Sequence, residues 1–190
     1  VSTVIIGILI ILFIWRRTPR PELAMVPMRD GTALATEYLL PPGEGPWPAV
    51  VVRSLYGRNH AQAGNLNAHG TAFVIQDVRG FGQSGGEAGP FVADGWGELQ
   101  DGRQTIEWIR TQQWCNGRIG GFGASALGIT QVLLAPVTPG LECQGILVAP
   151  SKFYGQLSYQ GGVWRKSLCE GWLEAIQRTG TIPEWKAHPT

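Results

Sequence analysis

Histidine and cysteine are scarce in this sequence, with three residues of each among 190. The cysteines Cys115, Cys143 and Cys169 are widely spaced and odd in number, so they indicate neither a disulfide framework nor a metal site. An excess of charge is also lacking, because the net charge is only +1. The sequence therefore has no electrostatic footprint of a nucleic-acid partner, and it predicts three buried or free thiols.

Glycine and tryptophan, by contrast, are abundant, with 27 and 8 residues. This composition is typical of a packed globular body with many tight turns and not of a disordered chain. At 190 residues the chain is long enough for one domain with a real core.

Residues 1–20 form a segment of anchor-like or signal-like character. Residues 1–15 are almost wholly apolar, and the basic segment RRTPRPE follows them. As a helix the apolar run would reach about 22 Å, against a hydrocarbon core of about 30 Å, and it lacks the preceding basic segment of a secretory signal. Three alternatives stay open: an uncleaved anchor, with Arg16 and Arg17 favouring a cytoplasmic body, a signal sequence, or a buried core helix. The protein would accordingly be membrane-associated, exported or cytoplasmic.

Buried strands alternate with helices in the middle of the chain. PAVVVRS, TAFVIQDVRG and LECQGILVAPS are apolar runs typical of strands buried on both faces, and RIGGFG is a further, short strand. GWGELQDGRQTIEWIRTQQW has apolar residues at helical spacing, and ALGITQVLLA predicts a second helix, closed by Pro136. This alternation predicts an open, mostly parallel α/β sheet, with ligands at the carboxyl ends of its strands.

Three further segments flank or interrupt this pattern. Asp30 and Gly31 mark the turn of a β-hairpin, and AQAGNLNAHG predicts a short helix that ends at Gly70. From about Lys152 the chain becomes aromatic, punctuated by glycine and partly helical. We interpret residues 152–190 as the beginning of a helical cap and not as another βα unit.

Two serines lie in similar Gly-Phe-Gly-x-Ser stretches. Ser84 in GFGQSGGEAGP fits both Gly-x-Ser-x-Gly and the dinucleotide-binding Gly-x-Gly-x-x-Gly. Both patterns need a helix directly after the turn, and GGEAGPF cannot start one promptly. We therefore interpret Ser84 as a loop residue and predict no nucleotide or other cofactor.

Ser125 has the context that a catalytic serine needs. RIGGFG leads into it as a strand, and ALGITQVLLA follows it as a helix. Its neighbours Gly123, Ala124 and Ala126 are small enough for a sharp, strained turn, and Gly128 would let the helix pack close to a neighbouring strand. The alternative is a serine that only caps the helix N-terminus, and the local residues leave both interpretations open.

Four segments together resemble the cocaine-esterase-like and Xaa-Pro dipeptidyl-peptidase-like serine hydrolases, which have the α/β-hydrolase fold. MRDGTALATEYLLP is similar to the family's opening hairpin, and VVRSLYG to the strand and turn that present an oxyanion-hole tyrosine. VIQDVRGFGQSGGE is similar to its Asp-x-Arg-Gly loop, and TIEWIRTQQWCNGRIGGFGASALGITQ to its helix, Trp-Cys-x-Gly turn and nucleophile elbow. The segments follow the family's order from about Met25 to Ser151.

The resemblance implies a role for three residues. Ser125 would be the nucleophile that attacks an ester or amide carbonyl. The backbone N–H of Ala126, where the family often has tyrosine, and the hydroxyl of Tyr56 would donate hydrogen bonds to the oxyanion. Without the resemblance, Tyr56 is interpreted as a loop aromatic that packs on the core. Asp77 and Arg79 are predicted to form a structural ion pair that braces their loop.

A catalytic base and an orienting acid are not found where this fold needs them. Their order along the chain should be Ser, then Asp or Glu, then His, and the only histidine after Ser125 is His188. His60 and His69 precede the serine, and His60 is either a pocket residue or a solvated loop residue. We therefore expect the acid and the base beyond Thr190.

On this resemblance, residues 21–151 would be the N-terminal part of an α/β-hydrolase catalytic domain, and we expect the 190-residue chain alone to have little or no activity. The leading hypothesis is a serine hydrolase of small-molecule esters, amides or short peptides, Xaa-Pro peptides included, that works through an acyl-enzyme. The first alternative is a non-catalytic α/β-hydrolase-like binding or membrane-associated protein. A nucleotide-dependent oxidoreductase that uses GFGQSG ranks last, and no pattern predicts an oligomeric state.

Overall fold

The structure, a computed structural model, describes residues 20–63, 66–95 and 97–177. The apolar run over residues 1–15, with its three alternatives, lies outside the described residues, and so do His188 and the end of the cap-like segment. Within the described ranges, no helix is both long enough and apolar enough to cross a membrane.

Among the described residues, six strands form one central sheet in the order β1-β2-β4-β3-β5-β6. The strands are β1 Glu22–Pro27, β2 Ala33–Leu39, β3 Trp47–Ser54, β4 Ala72–Asp77, β5 Cys115–Ala124 and β6 Leu141–Leu147. The strands β4, β3, β5 and β6 run parallel, and β1 and β2 join them as an antiparallel hairpin. The mostly parallel α/β sheet predicted from the sequence is confirmed.

In the part of the chain that the structure describes, three α-helices flank the sheet: α1 Asp101–Thr111, α2 Ala126–Leu134 and α3 Lys166–Gln177. Between β6 and α3 the chain forms a π-helical turn at Phe153–Ser158 and a small hairpin of β7 Tyr159–Gln160 and β8 Val163–Trp164. These elements cover the described part of the segment that we interpret as the start of a cap, and that interpretation stays a prediction.

The short helix predicted before Gly70 is wrong in detail. The structure has 3₁₀ turns at His60–Ala63 and Asn67–His69, and Gly70 ends the second turn at a φ of 73°. The side chain of Asn67 donates hydrogen bonds to the carbonyls of Leu39 and Thr71, at 2.8 and 3.0 Å. Such side-chain bonds to nearby backbone compete with a continuous helix.

The core lies on both faces of the sheet, because successive residues of its central strands point to opposite sides. In β3, Val51 packs with Ile106 and Ile109 of α1, whereas its neighbour Val52 packs in a second cluster on the other face. All of these side chains are essentially inaccessible to solvent. The prediction that β3 and β4 are buried on both faces is therefore confirmed.

The predicted burial of the last strand is wrong. No residue of β6 is buried, since each is half-buried or exposed, and Leu147 is 52% exposed. Among the described strands, β6 pairs with β5 alone, so it is an edge strand here. A run of apolar residues in a sequence does not distinguish an edge strand from a central strand.

The expected ion pair between Asp77 and Arg79 is also wrong, since each residue has other partners. The guanidinium of Arg79 donates hydrogen bonds to both carboxylate oxygens of Asp101, at 2.7 and 2.8 Å. It also donates to the carboxylate of Asp30 at 2.7 Å. Asp77 pairs instead with Arg58. Arg79 thus ties the β1–β2 turn to the first residue of α1.

This link predicts a pH dependence of stability. The hydrogen bond from Arg79 lowers the pKa of Asp30 from 3.8 to about 2. Because the folded-state pKa lies below the unfolded-state value, the stabilisation is complete above pH 3.8 and is lost as the pH falls towards about 2. We expect Asp30→Asn to unfold at lower urea concentration at neutral pH, and its difference from wild type to shrink across this window. A difference that stays constant from neutral pH down to about 2 would contradict the link.

Candidate active site

Ser125 lies in the turn between β5 and α2, with its backbone at φ 55° and ψ −125°. Residues other than glycine rarely adopt a positive φ, and such strain persists only where the surrounding structure enforces it. The N–H of Ser125 donates to the carbonyl of Leu147 at 2.9 Å, and its carbonyl accepts from Gly128 and Ile129 at 2.9 and 3.0 Å. The serine side chain is exposed and makes no capping hydrogen bond to the helix. A serine that only caps the helix would make that bond.

Glycine is required on both sides of this turn. A Cβ atom at Gly123 would lie 2.1 Å from the carbonyl oxygen of Leu127. At Gly128 it would lie 2.8 Å from Cβ of Ala149, which follows β6. Both distances are shorter than real Cβ contacts, so the helix can start this close to the sheet only if these positions have no side chain.

Tyr56 lies two residues beyond the end of β3, the strand that pairs in parallel with β5. Ser125 follows β5 directly, so both residues lie at the carboxyl ends of neighbouring strands, where ligands bind in open α/β sheets. The Tyr56 side chain is about half exposed, and its hydroxyl oxygen accepts a hydrogen bond from Nε1 of Trp172 at 2.7 Å.

Ala126 is the first residue of α2, and its side chain is buried. The first N–H groups of a helix have no acceptor within the helix, and they carry the positive end of the helix dipole. The backbone N–H of Ala126 is therefore suited by position to an oxygen that develops negative charge next to Ser125.

A cavity of about 270 Å³ opens beside Ser125 and Ala126. Its wall is mostly aromatic and aliphatic, and none of the described residues that line it carries a charge. Phe91 stacks almost parallel on Trp172, with ring centroids 5.4 Å apart, and packs tilted against Phe153 at the same distance. The wall thus joins the loop before α1 to the π-helical turn and to α3.

A buried ionic network supports the strand that leads to Tyr56. Arg53, fully buried in β3, donates from Nε to Asp94 at 2.8 Å and from Nη1 to Thr105 of α1 at 3.1 Å. Burial raises the pKa of Asp94, and the positive charge of Arg53 opposes this effect. The network fixes the carboxyl end of β3 to α1 and to the loop that precedes it.

Ser84 has a structural role in a loop, as predicted. Its hydroxyl donates to the carbonyl of Asp77 at 2.6 Å and accepts from the N–H of Ala35 at 2.9 Å. A Cβ at Gly82 would lie 2.1 Å from a carboxylate oxygen of Asp77. The Gly-rich loop therefore packs against β2 and β4, and no helix follows it directly.

Neither described histidine lines the cavity at Ser125. His60 contacts the carboxylate of Glu37, which also receives Arg58 at 3.0 Å. His69 ends the second 3₁₀ turn. Ser125 and Ala126 thus lie together at the cavity. Within residues 20–63, 66–95 and 97–177, no imidazole lines it. The described residues also contain no cluster suited to a metal ion.

Comparison with known proteins decides the family. The family model described as X-Pro dipeptidyl-peptidase (S15 family) matches residues 30–188. The chain belongs to this family. Among individual proteins, the cocaine esterase of Rhodococcus sp. (strain MB1 Bresler) is 35% identical over 174 residues, which cover 83% of this chain and 28% of the esterase. The S15 chain thus spans under a third of the length of that relative.

Solved structures with the same fold include other hydrolases. A CocE/NonD family hydrolase from Staphylococcus aureus superposes with a TM-score of 0.72 at 23% identity, covering 87% of this chain and 35% of the hydrolase. An aminopeptidase from a marine sediment Thaumarchaeota archaeon gives a TM-score of 0.71 at 22% identity, covering 90% of this chain and 32% of the aminopeptidase. The S15 chain therefore has the α/β-hydrolase fold that the sequence resemblance implied.

Sequence reasoning did not single out the cavity wall of the S15 chain. Phe91 lies in a loop with no motif, and its φ of 67° is as unusual as that of Ser125. In α3, Leu168 and Trp172 are four residues apart and line the cavity together, as do Cys169 and Leu173. From this helical spacing of apolar residues, the contribution of α3 to the cavity wall could have been predicted.

The crowding around Ser125 predicts a large effect of one methyl group. Gly123→Ala should destabilise the protein by about 3 kcal/mol, because the new Cβ overlaps a backbone carbonyl that cannot move aside. The control is Gly171→Ala in α3, where a Cβ meets nothing within 4 Å. That variant should be stabilised by up to about 1 kcal/mol, since alanine favours helix over glycine. Equal stability of the two variants in urea unfolding would contradict the crowding.

Proposed function

We propose that this chain carries the nucleophile and the oxyanion hole of a serine hydrolase that cleaves esters or amides through an acyl-enzyme. The observation that carries the proposal is the strained strand-to-helix turn at Ser125. The serine hydroxyl there is exposed, makes no capping hydrogen bond and lies beside an apolar cavity. Strain of this kind at the mouth of a cavity is typical of a nucleophile elbow. Membership in a family of peptidases, and a relative that is an esterase, supports the same reaction class.

In the proposed reaction, Oγ of Ser125 attacks the substrate carbonyl and loses its proton to a general base. The carbonyl oxygen becomes an oxyanion that accepts hydrogen bonds from the N–H of Ala126 and the hydroxyl of Tyr56. When the tetrahedral intermediate collapses, the bond to the alcohol or amine breaks, and the leaving group takes the proton from the base. A water molecule then hydrolyses the acyl-enzyme by the same steps and restores the serine.

The general base and its acid would come from outside the described residues. This follows from the partners of His60 and from the cavity wall, which contains no imidazole among the described residues. The greater length of the cocaine esterase relative is consistent with such a contribution. Without a base the serine is a weak nucleophile, so we propose that the 190-residue chain alone is nearly inactive.

The cavity favours substrates with an apolar acyl group. Its described wall offers aromatic rings and aliphatic side chains but no carboxylate to pair with the ammonium group of a peptide N-terminus. Small esters or amides with an uncharged acyl part therefore fit this part of the site better than a dipeptide with a free amine. The absence of an imidazole from the described wall also keeps a non-catalytic binding protein as the second candidate.

Labelling with a fluorophosphonate tests the nucleophile and separates the two candidates. In the protein as its gene encodes it, the probe should form an adduct at Ser125, and Ser125→Ala should lose the adduct and about 10⁴-fold or more in kcat. The matched control is Ser84→Ala, which should still be labelled. The 190-residue chain alone should label slowly. An adduct elsewhere, or none in the encoded protein, would contradict the hydrolase.

The oxyanion role of Tyr56 has its own test. Tyr56→Phe should lower kcat by about 10²–10³-fold with little change in KM, because the oxyanion exists only near the transition state. The control is Tyr154→Phe, since Tyr154 is 70% exposed and is not part of the cavity wall. Its kcat for a small ester should stay within about twofold of wild type. A change in KM alone for Tyr56→Phe would make the tyrosine a substrate contact and not an oxyanion donor.

A further inference from the structure

The contact between Tyr56 and Trp172 joins residues that are 116 positions apart in the chain. An indole N–H can only donate a hydrogen bond, so the Tyr56 oxygen is the acceptor in this pair. The direction of the bond therefore follows from chemistry alone. The hydroxyl proton of Tyr56 does not point at Trp172 and remains available to another acceptor.

This bond is the only one that the described residues make to the Tyr56 hydroxyl. The phenol is half exposed and follows the end of β3 by two residues, with a left-handed glycine, Gly57, directly after it. Because about half of the side chain is exposed, packing restricts its ring less than it restricts a buried ring. The orientation of the hydroxyl thus depends on the indole that it contacts.

Trp172 itself is held firmly. Its ring lies parallel to that of Phe91, with an interplanar angle of 7°, and it packs against the buried cluster that contains Ile176. Phe91 contacts Phe153 in turn. The indole is therefore fixed by the loop before α1 and by α3, and it offers its N–H from a defined position.

We propose that Trp172 is a positioning residue, which orients the hydroxyl of Tyr56 so that its proton faces the oxyanion formed at Ser125. The proposal deepens the proposed function and rests on it. A hydroxyl that accepts one hydrogen bond also becomes a better donor, because neighbouring bonds polarise one another. Trp172 would thus strengthen the oxyanion hole without touching the reacting atoms.

The test is a double-mutant cycle in the protein as its gene encodes it, with a small ester as the substrate. Trp172→Phe keeps an aromatic ring on Phe91 and removes the N–H donor. We expect kcat to fall about fivefold, as for the loss of one neutral hydrogen bond, with KM within about threefold of wild type. In the Tyr56→Phe background, where the acceptor is already gone, the same change should alter kcat by less than about twofold.

Two further variants separate this coupling from loss of structure. Replacement of Trp172 by 3-benzothienylalanine keeps the shape of the indole and exchanges the N–H for sulfur, so it should reproduce the effect on kcat even if Trp172→Phe folds poorly. Trp164→Phe makes the same change at another tryptophan of the cavity wall, whose Nε1 lies 3.4 Å from Glu170. Its effect should be equal in the wild-type and Tyr56→Phe backgrounds, because Trp164 does not share a hydrogen bond with the tyrosine.

The outcomes distinguish this inference from the proposed function. If Ser125→Ala retains its activity, the hydrolase assignment fails. If Ser125→Ala is inactive while the loss of the indole N–H leaves kcat unchanged, or lowers it equally in both tyrosine backgrounds, the positioning role alone is overturned. A rise in KM without a change in kcat would likewise overturn the positioning role. Trp172 would then only line the cavity and contact the substrate.

Discussion

The backbone of Ser125 is held at a positive φ by a turn in which almost no space is left. Gly123 and Gly128 lie so close to neighbouring carbonyls and side chains that a single methyl group at either position would overlap with them. Because the carbonyl of Ser125 accepts the first hydrogen bonds of α2, the helix begins at once. The exposed hydroxyl and the first helix amide beside it both follow from this one crowded connection between strand and helix.

The sheet around this turn could be predicted because its residues obey local rules. Runs of β-branched residues occupy β3 and β4, where both faces are covered, and apolar residues at helical spacing occupy the buried side of α1. The turn at Asp30 and Gly31 was equally predictable, since few dipeptides favour a hairpin so strongly. Ser125 was distinguished from Ser84 by the same reasoning, because only one of the two is followed by a helix.

The remaining features depend on contacts between distant segments, which local patterns do not record. Arg79 has two carboxylates within reach that are far from it in the chain, and neither is the nearby Asp77. The exposure of β6 depends on which strands pair with it and not on its own apolar residues. The contact between Trp172 and Tyr56 brings a cap-like helix to the end of a central strand, and the sequence shows only two aromatic residues in separate regions.

Phe91 stacks on Trp172 and is tilted against Phe153, and these ring contacts give α3 two linked roles. The helix closes one side of the cavity, and through its indole it also contacts the residue that would complete the oxyanion hole. A displacement of α3 that widened the entrance for a bulky molecule would break the contact with Tyr56 in the same movement. In the proposed reaction, admission of a bulky substrate and full support of the oxyanion would then need different positions of one helix.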